Sequence, residues 1–207
     1  MKIRNPLAIF IGLWAVLPFS LGLAIDSSLA QSADQIRTSI SVGVWIAWGL
    51  VLGSSIIRRP WGLTIIRILA PATVPALLVT HWNETIPAGT LVIALSHAVL
   101  VSLLVLLPET GHLMVDGLSY GDEKRFLLRV PSAVLFGPLP LVWATIVSGT
   151  FCGPVLVASG RWGVGLFLWG IGWALAALAT RSIHQLARRW IVFVPNGFVI
   201  HDYLATR

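Results

Sequence analysis

Charged residues are scarce in this sequence, and their scarcity excludes an ordinary soluble fold. Only 11% of the 207 residues are charged, whereas a soluble domain carries about 25%. Hydrophobic residues make up 57% of the chain, and the mean hydropathy is +0.87. A chain with this composition cannot cover its surface with polar side chains. The composition therefore predicts an integral membrane protein.

Cysteine and the usual catalytic motifs are also missing. Cys152 is the single cysteine, which excludes an internal disulfide and any CxxC redox or zinc site. The sequence has no nucleotide-binding glycine loop and no lysine within an apolar run that could carry a Schiff base. We therefore favour a non-enzymatic protein over an enzyme and expect no cofactor. The net charge of +6 is spread over single or paired basic residues, which indicates anionic lipid rather than nucleic acid as the partner.

Six apolar segments approach the length of about 20 residues that a helix needs to cross a bilayer. They are residues 6–25, 40–57, 63–80, 87–107, 134–158 and 162–180. The fifth belongs to a longer apolar stretch that begins at Pro131, so it must tilt or begin in the interface. Prolines in the third and fifth segments predict kinks; they are Pro71, Pro75, Pro138 and Pro140.

The basic residues lie mostly on one side of these segments. With six spans and a cytoplasmic N-terminus, Arg37 and Arg161 fall outside, and the other twelve of the fourteen basic residues fall inside. This asymmetry is the one that the positive-inside rule requires. We expect a multi-pass protein of a bacterial plasma membrane with both termini in the cytoplasm. A signal peptide cleaved after Ala30 is the alternative for the first segment, but its apolar run exceeds the roughly 7–15 residues of a signal core.

One ionisable residue lies near the middle of a span. His97, beside Ser96 in the fourth segment, is a candidate for a ligand site or a proton path, because ionisable groups within a membrane are often functional. A structural histidine bonded to a neighbouring helix is the alternative. Arg67 lies about one turn inside the cytoplasmic end of the third segment, from where it can reach lipid phosphate.

The segment after the fourth span is the most polar part of the chain. Glu109 and His112 have the Glu-x-x-His spacing of half a di-iron site, and Asp116 lies one turn further on. The second half of such a site is missing, so we favour a solvated loop over a metal site. Residues 121–130 place acidic before basic residues and predict a short interfacial helix. The candidate headgroup ligands are Arg67, Lys124, Arg125, Arg129, Arg188 and Arg189.

Small residues at four-residue spacing predict close helix packing. Gly49 and Gly53 lie in the second segment, and Gly149 and Gly153 lie in the fifth. Such pairs can hold a homo-oligomer together or pack helices within one bundle. We favour packing within one bundle because these pairs are common in membrane helices.

The tail has the pattern of a β-hairpin. An apolar run from Trp190 to Val194 meets Pro195-Asn196-Gly197, and an alternating run follows. Two strands alone are marginal in water, so we expect the tail to pair with protein outside this chain. Residues 188–207 are therefore interpreted as the start of an incomplete cytoplasmic β-module.

Two segments resemble known proteins: GLSYGDEKRFLLRVPSAVLFGPLPLVWA, residues 117–144, and LARRWIVFVPNGFVIHD, residues 186–202. They are similar to segments of uncharacterised actinobacterial integral membrane proteins. The resemblance implies that the tail continues into a soluble cytoplasmic region, and it implies no activity, substrate or site residue.

Together these patterns predict an all-α membrane protein: a six-helix transmembrane bundle, residues 1–187, with a short C-terminal β-hairpin at the cytoplasmic face. The expected function is a non-enzymatic membrane anchor or regulatory domain for a cytoplasmic module or protein partner. A small-molecule transporter, or its substrate-binding membrane subunit, is the alternative.

Overall fold

The computed structural model describes residues 5–29, 34–83 and 86–202. Within these ranges, six helical segments are long and apolar enough to cross a membrane, which confirms the predicted number of candidate spans. Their bounds are Pro6–Asp26, Arg37–Ile57, Pro60–Trp82, Ala88–Leu106, Pro138–Val157 and Trp162–Ala187. The predicted cytoplasmic residues Lys2, Arg4 and Arg207, the cleavage site at Ala30, and the last residues of the tail module lie outside the described ranges.

The helices divide as follows. The first span consists of α1 (Pro6–Val16), a 3-10 turn (Leu17–Phe19) and α2 (Leu21–Leu29). The next helices are α3 (Asp34–Ile57), α4 (Pro60–Asn83), α5 (Ala88–Leu106), α6 (Pro108–Asp116), α7 (Ser132–Phe136), α8 (Pro138–Ala158) and α9 (Trp162–Ala187). The predicted fifth span thus starts with a separate turn of helix, α7, and Gly137 separates it from α8. Helix α4 runs through its two internal prolines without interruption.

The break in the first span follows from Pro18. Proline has no N–H, so the Trp14 carbonyl lacks its usual helical donor and accepts from the Leu17 N–H instead. That exchange releases the Leu13 carbonyl from the helix. Trp14 also fixes α1 against α3: its indole donates to the Trp48 carbonyl at 3.0 Å, and the Trp48 indole donates to the Trp14 carbonyl at 2.9 Å.

The hydrophobic core lies between α1, α3, α4, α5 and α6. Phe10, Ile66, Val101 and Met114 are fully buried members of it. Helices α8 and α9 pack chiefly against each other, and a smaller buried cluster that includes Ile68 joins them to α4. The bundle is therefore a five-helix core with a helical hairpin at its side.

A three-stranded antiparallel sheet lies beyond the ends of α5 and α9. Its strands are β1 (Lys124–Leu127), β2 (Trp190–Val194) and β3 (Gly197–His201), in the order β1-β2-β3. The predicted tail hairpin is present as β2 and β3. The predicted interfacial helix at 121–130 is wrong, because that segment supplies β1, whose backbone finds its partners in β2. The tail also does not depend on protein outside the chain for all its strand pairing, because β2 pairs with β1 on one side and with β3 on the other.

The segment at Glu109, predicted to be a loop, is helix α6. Leu107 is extended, with ψ 140°, and ends α5. Pro108 then begins the new helix at a position where its missing N–H costs nothing. Helix α6 lies between the bundle and the sheet and contacts both.

Candidate functional site

Two side chains of α6 cover the outer edge of β1. The Arg125 N–H donates to Asp116 Oδ1 at 2.9 Å, and the Leu127 N–H donates to His112 Nδ1 at 3.0 Å. Residues two apart in a strand point their N–H groups to the same edge about 6.7 Å apart, and residues four apart on a helix are separated by about 6 Å along its axis. The two spacings match, so α6 satisfies an edge that would otherwise expose its N–H groups. We call these two bonds the α6 latch.

The latch requires a neutral His112. Because Nδ1 accepts a hydrogen bond, it carries no proton, and the ring hydrogen lies on Nε2. Burial lowers the pKa of His112 below its ordinary value. The Glu109 carboxylate opposes this shift, whereas the charges of Arg67 and Arg129 add to it. The lowered pKa favours the neutral ring, which is the form that can accept the hydrogen bond from β1.

The predicted metal residues are placed by the same helix. Glu109 is exposed, while His112 and Asp116 use acceptor atoms on backbone N–H groups. Across the described residues, no group of three or more His, Cys, Asp or Glu side chains is arranged to hold a metal ion. The side chains of His112 and Asp116 attach the sheet to helix α6.

The corner between α5 and α6 places Arg67. Since Pro108 has no N–H, the Leu104 carbonyl loses its helical donor, and it accepts from Thr110 Oγ1 at 2.6 Å instead. The neighbouring Val105 carbonyl accepts from Arg67 Nε at 3.3 Å. Arg67 thus binds backbone at the base of α6, and the headgroup contact expected for it stays a prediction.

The remaining candidate headgroup ligands divide into two groups. Arg189 is almost buried and forms a bidentate ion pair with Asp202, at 2.7 and 2.8 Å, which closes the open end of the hairpin. By accepting these bonds, the Asp202 carboxylate raises the pKa of Arg189. Arg125 pairs with Glu123 at 2.7 Å. The exposed members are Lys124, Arg129 and Arg188.

The opposite edge of the sheet is formed by β3. In the described part of the chain, no strand lies beyond it. Phe198, Val199 and Ile200 are 63%, 60% and 57% exposed, so both faces of this strand present apolar surface. In the β1–β2–β3 register, the backbone N–H and C=O groups of Val199 point toward β2, whereas those of Phe198 and Ile200 point outward. Among the residues that the structure describes, the sheet is closed on its β1 side and open on its β3 side.

His97 joins α5 to the break in the first span. Its Nε2 lies 3.0 Å from the Leu13 carbonyl, the group that the break releases, and its Nδ1 lies 2.7 Å from Ser20 Oγ. Ser20 Oγ is also 3.1 Å from the Leu17 carbonyl. The predicted partner Ser96 is exposed and is not part of this contact. Ser20 was missed by sequence reasoning, although Pro18 two residues earlier marks the break.

The glycines predicted to pack helices occupy two environments. A Cβ at Gly149 would meet the Gly172 backbone, and a Cβ at Gly153 would lie 2.5 Å from Trp169, so both lie at the contact of α8 with α9. At Gly49 and Gly53, a Cβ would meet nothing within 4 Å. The first pair packs within one bundle, whereas the second pair lies on an open face of α3.

Comparisons of the chain with protein families, with curated proteins and with solved structures found no match. The resemblance of residues 117–144 and 186–202 to actinobacterial membrane proteins therefore stays a prediction.

Proposed function

We propose that this protein is a non-enzymatic membrane anchor or regulatory domain that holds a cytoplasmic partner, or a downstream module, through its three-stranded sheet. The observation that carries the proposal is the asymmetry of the sheet. One edge is fastened to the bundle by the α6 latch, and the other presents the apolar residues Phe198, Val199 and Ile200. Exposed apolar edge strands are sites where another chain adds a strand.

The distribution of charge supports a cytoplasmic sheet and a plasma-membrane location. Lys124, Arg129 and Arg188 surround the sheet and are exposed. Loops that carry such an excess of Lys and Arg stay in the cytoplasm in bacterial membrane proteins. The same residues are the proposed contacts for anionic lipid headgroups.

A pair of proline variants tests the proposed edge. Ile200→Pro removes an outward N–H from β3 and leaves the bonds between β2 and β3 in place, whereas Val199→Pro removes a bond of the sheet itself. Photo-crosslinking from position 198 in native membranes should yield a defined adduct with one protein. This adduct should be lost in Ile200→Pro while the sheet remains protected from hydrogen exchange. If Ile200→Pro leaves the adduct unchanged, the β3 edge is not the docking site.

The break in the first span favours a transporter as the second candidate function. Broken spans with a polar side chain at mid-membrane are typical of transporter binding sites, and here His97 faces the break. Proteoliposomes with a trapped pH-sensitive dye would report proton movement. If movement occurs and His97→Gln abolishes it, the transporter candidate replaces the anchor.

A further inference from the structure

The two ring nitrogens of His97 face different kinds of partner. The Leu13 carbonyl, 3.0 Å from Nε2, can only accept a hydrogen bond, so Nε2 carries a hydrogen in every state of the ring. The Ser20 hydroxyl, 2.7 Å from Nδ1, can either donate or accept. We propose that the break in the first span is a proton-binding site, in which a proton adds to Nδ1 of His97.

Every polar atom of this site keeps a partner in both states. When His97 is neutral, the Ser20 hydroxyl donates to Nδ1. When a proton from water binds, Nδ1–H donates to Ser20 Oγ, and the hydroxyl hydrogen turns toward the Leu17 carbonyl, 3.1 Å away. The Leu17 carbonyl has a donor in either case, because it also accepts from the Ser20 N–H at 3.1 Å. The proton comes from a hydronium ion, so one O–H bond of that ion breaks, the Nδ1–H bond forms, and a water molecule is left.

A comparison with His112 shows why the Ser20 hydroxyl allows His97 to bind a proton. Its Nδ1 faces the Leu127 N–H, which can only donate. A proton on that nitrogen would set two donors against each other and break the contact. At His97 the Ser20 hydroxyl can rotate and accept instead of donate, so the imidazole of His97 can bind a proton without losing a contact.

The ionisable side chains that the structure describes around this site do not bind His97, so the charge at the ring comes from the added proton. Helix α1 has no ionisable side chain. The described ionisable groups on the other elements that pack against α5 do not form a hydrogen bond with His97; they are Asp26 on α2, Arg67 and His81 on α4, and Glu109, His112 and Asp116 on α6. Asp26 is already paired with Arg37 at 2.6 Å.

Nitrogen-15 NMR of the full chain in lipid nanodiscs tests the proposal. The protein is labelled at histidine, and His97→Gln identifies the His97 signals by their loss. As the pH falls from about 9 to about 4, Nδ1 of His97 should pass from unprotonated to protonated while Nε2–H remains. Ser20→Ala should weaken proton binding about tenfold, because the hydrogen bond that it removes is stronger to the charged ring than to the neutral ring. Ser20→Thr keeps a hydroxyl and should titrate like the unaltered chain.

Two results would overturn the proposal. In the first, Nδ1 of His97 stays unprotonated over the whole range in the unaltered chain, which needs no variant and so does not depend on the folding of Ser20→Ala. In the second, Ser20→Ala folds with the parental helical content, measured by circular dichroism, and has the same midpoint as Ser20→Thr.

Discussion

Replacement of His112 tests whether the α6 latch holds the sheet to the bundle. In His112→Ala the N–H of Leu127, a buried residue, loses its acceptor. A buried N–H without a partner costs about 1–3 kcal/mol, so opening of the β1 edge should become roughly 5- to 150-fold more frequent. His112→Asn is the matched control, because Asn Oδ1 lies as many bonds from the backbone as Nδ1 and also accepts. It should retain most of the protection.

Hydrogen exchange of the full chain in nanodiscs at neutral pH measures this opening residue by residue. In His112→Ala, the amides of Leu127 and Arg125 should exchange faster, whereas amides in the core of α5 should be unchanged. The reasoning is refuted if His112→Ala exchanges like the unaltered chain. It is equally refuted if His112→Asn is as fast as His112→Ala, since the acceptor would then be irrelevant.

The same bond makes the latch sensitive to pH, and the sign follows from the lowered pKa of His112. The folded state prefers the neutral ring, so between the folded pKa and the ordinary value of about 6.5 the unfolded state binds more protons. Stability of the latch therefore rises with pH through this window and is fully present above about pH 6.5. Exchange at Leu127 should accelerate as pH falls below that value, after correction for intrinsic rates, and His112→Asn should abolish the dependence.

Three further substitutions test other contacts. Gly149→Val should destabilise the α8–α9 pair by about 1–3 kcal/mol because the new side chain meets backbone, and Gly170→Val, where a Cβ meets nothing within 4 Å, should leave the thermal midpoint in detergent unchanged. Asp202→Asn should cost about 3–5 kcal/mol locally because Arg189 stays nearly buried without its counter-charge, and limited proteolysis should then cut the hairpin. Trp48→Phe should lower the thermal midpoint because it removes one indole hydrogen bond, which contributes about 1 kcal/mol to stability.

Sequence patterns predicted the spans because lipid leaves few alternatives. A backbone in hydrocarbon must satisfy its own polar groups, so an apolar run of sufficient length forms a helix. The tail hairpin was also predictable, since Pro195-Asn196-Gly197 separates two β-favouring runs. In both cases the deciding interaction is local in the sequence.

Strand β1 and the partner of His97 were missed because they depend on residues distant in sequence. The segment with Phe126 and Leu127 became a strand because β2, more than sixty residues later, offers it hydrogen bonds. Four residues are too few to show strand periodicity. Ser20 is likewise 77 residues from His97, whereas Ser96, which adjoins His97 in sequence, takes no part in this contact because adjacent helical residues do not share a face.

Helix α6 is the element through which the sheet and the bundle would influence each other. On the bundle side, Thr110 binds the freed Leu104 carbonyl. Gly111 lies between the two sides, since a Cβ there would be 2.6 Å from Leu127 Cδ2 and 3.0 Å from an Arg67 nitrogen. On the sheet side, His112 and Asp116 bind the β1 edge. These contacts belong to a helix of nine residues, too short to bend between them. A displacement of β1 must therefore either break the latch or move the carboxyl end of α5. Because the latch weakens with acid while the Thr110 contact has no titratable group, acid should weaken the coupling between the sheet and α5. The Asp116 bond to Arg125 and the short connection from α9 to β2 would then carry what coupling remains.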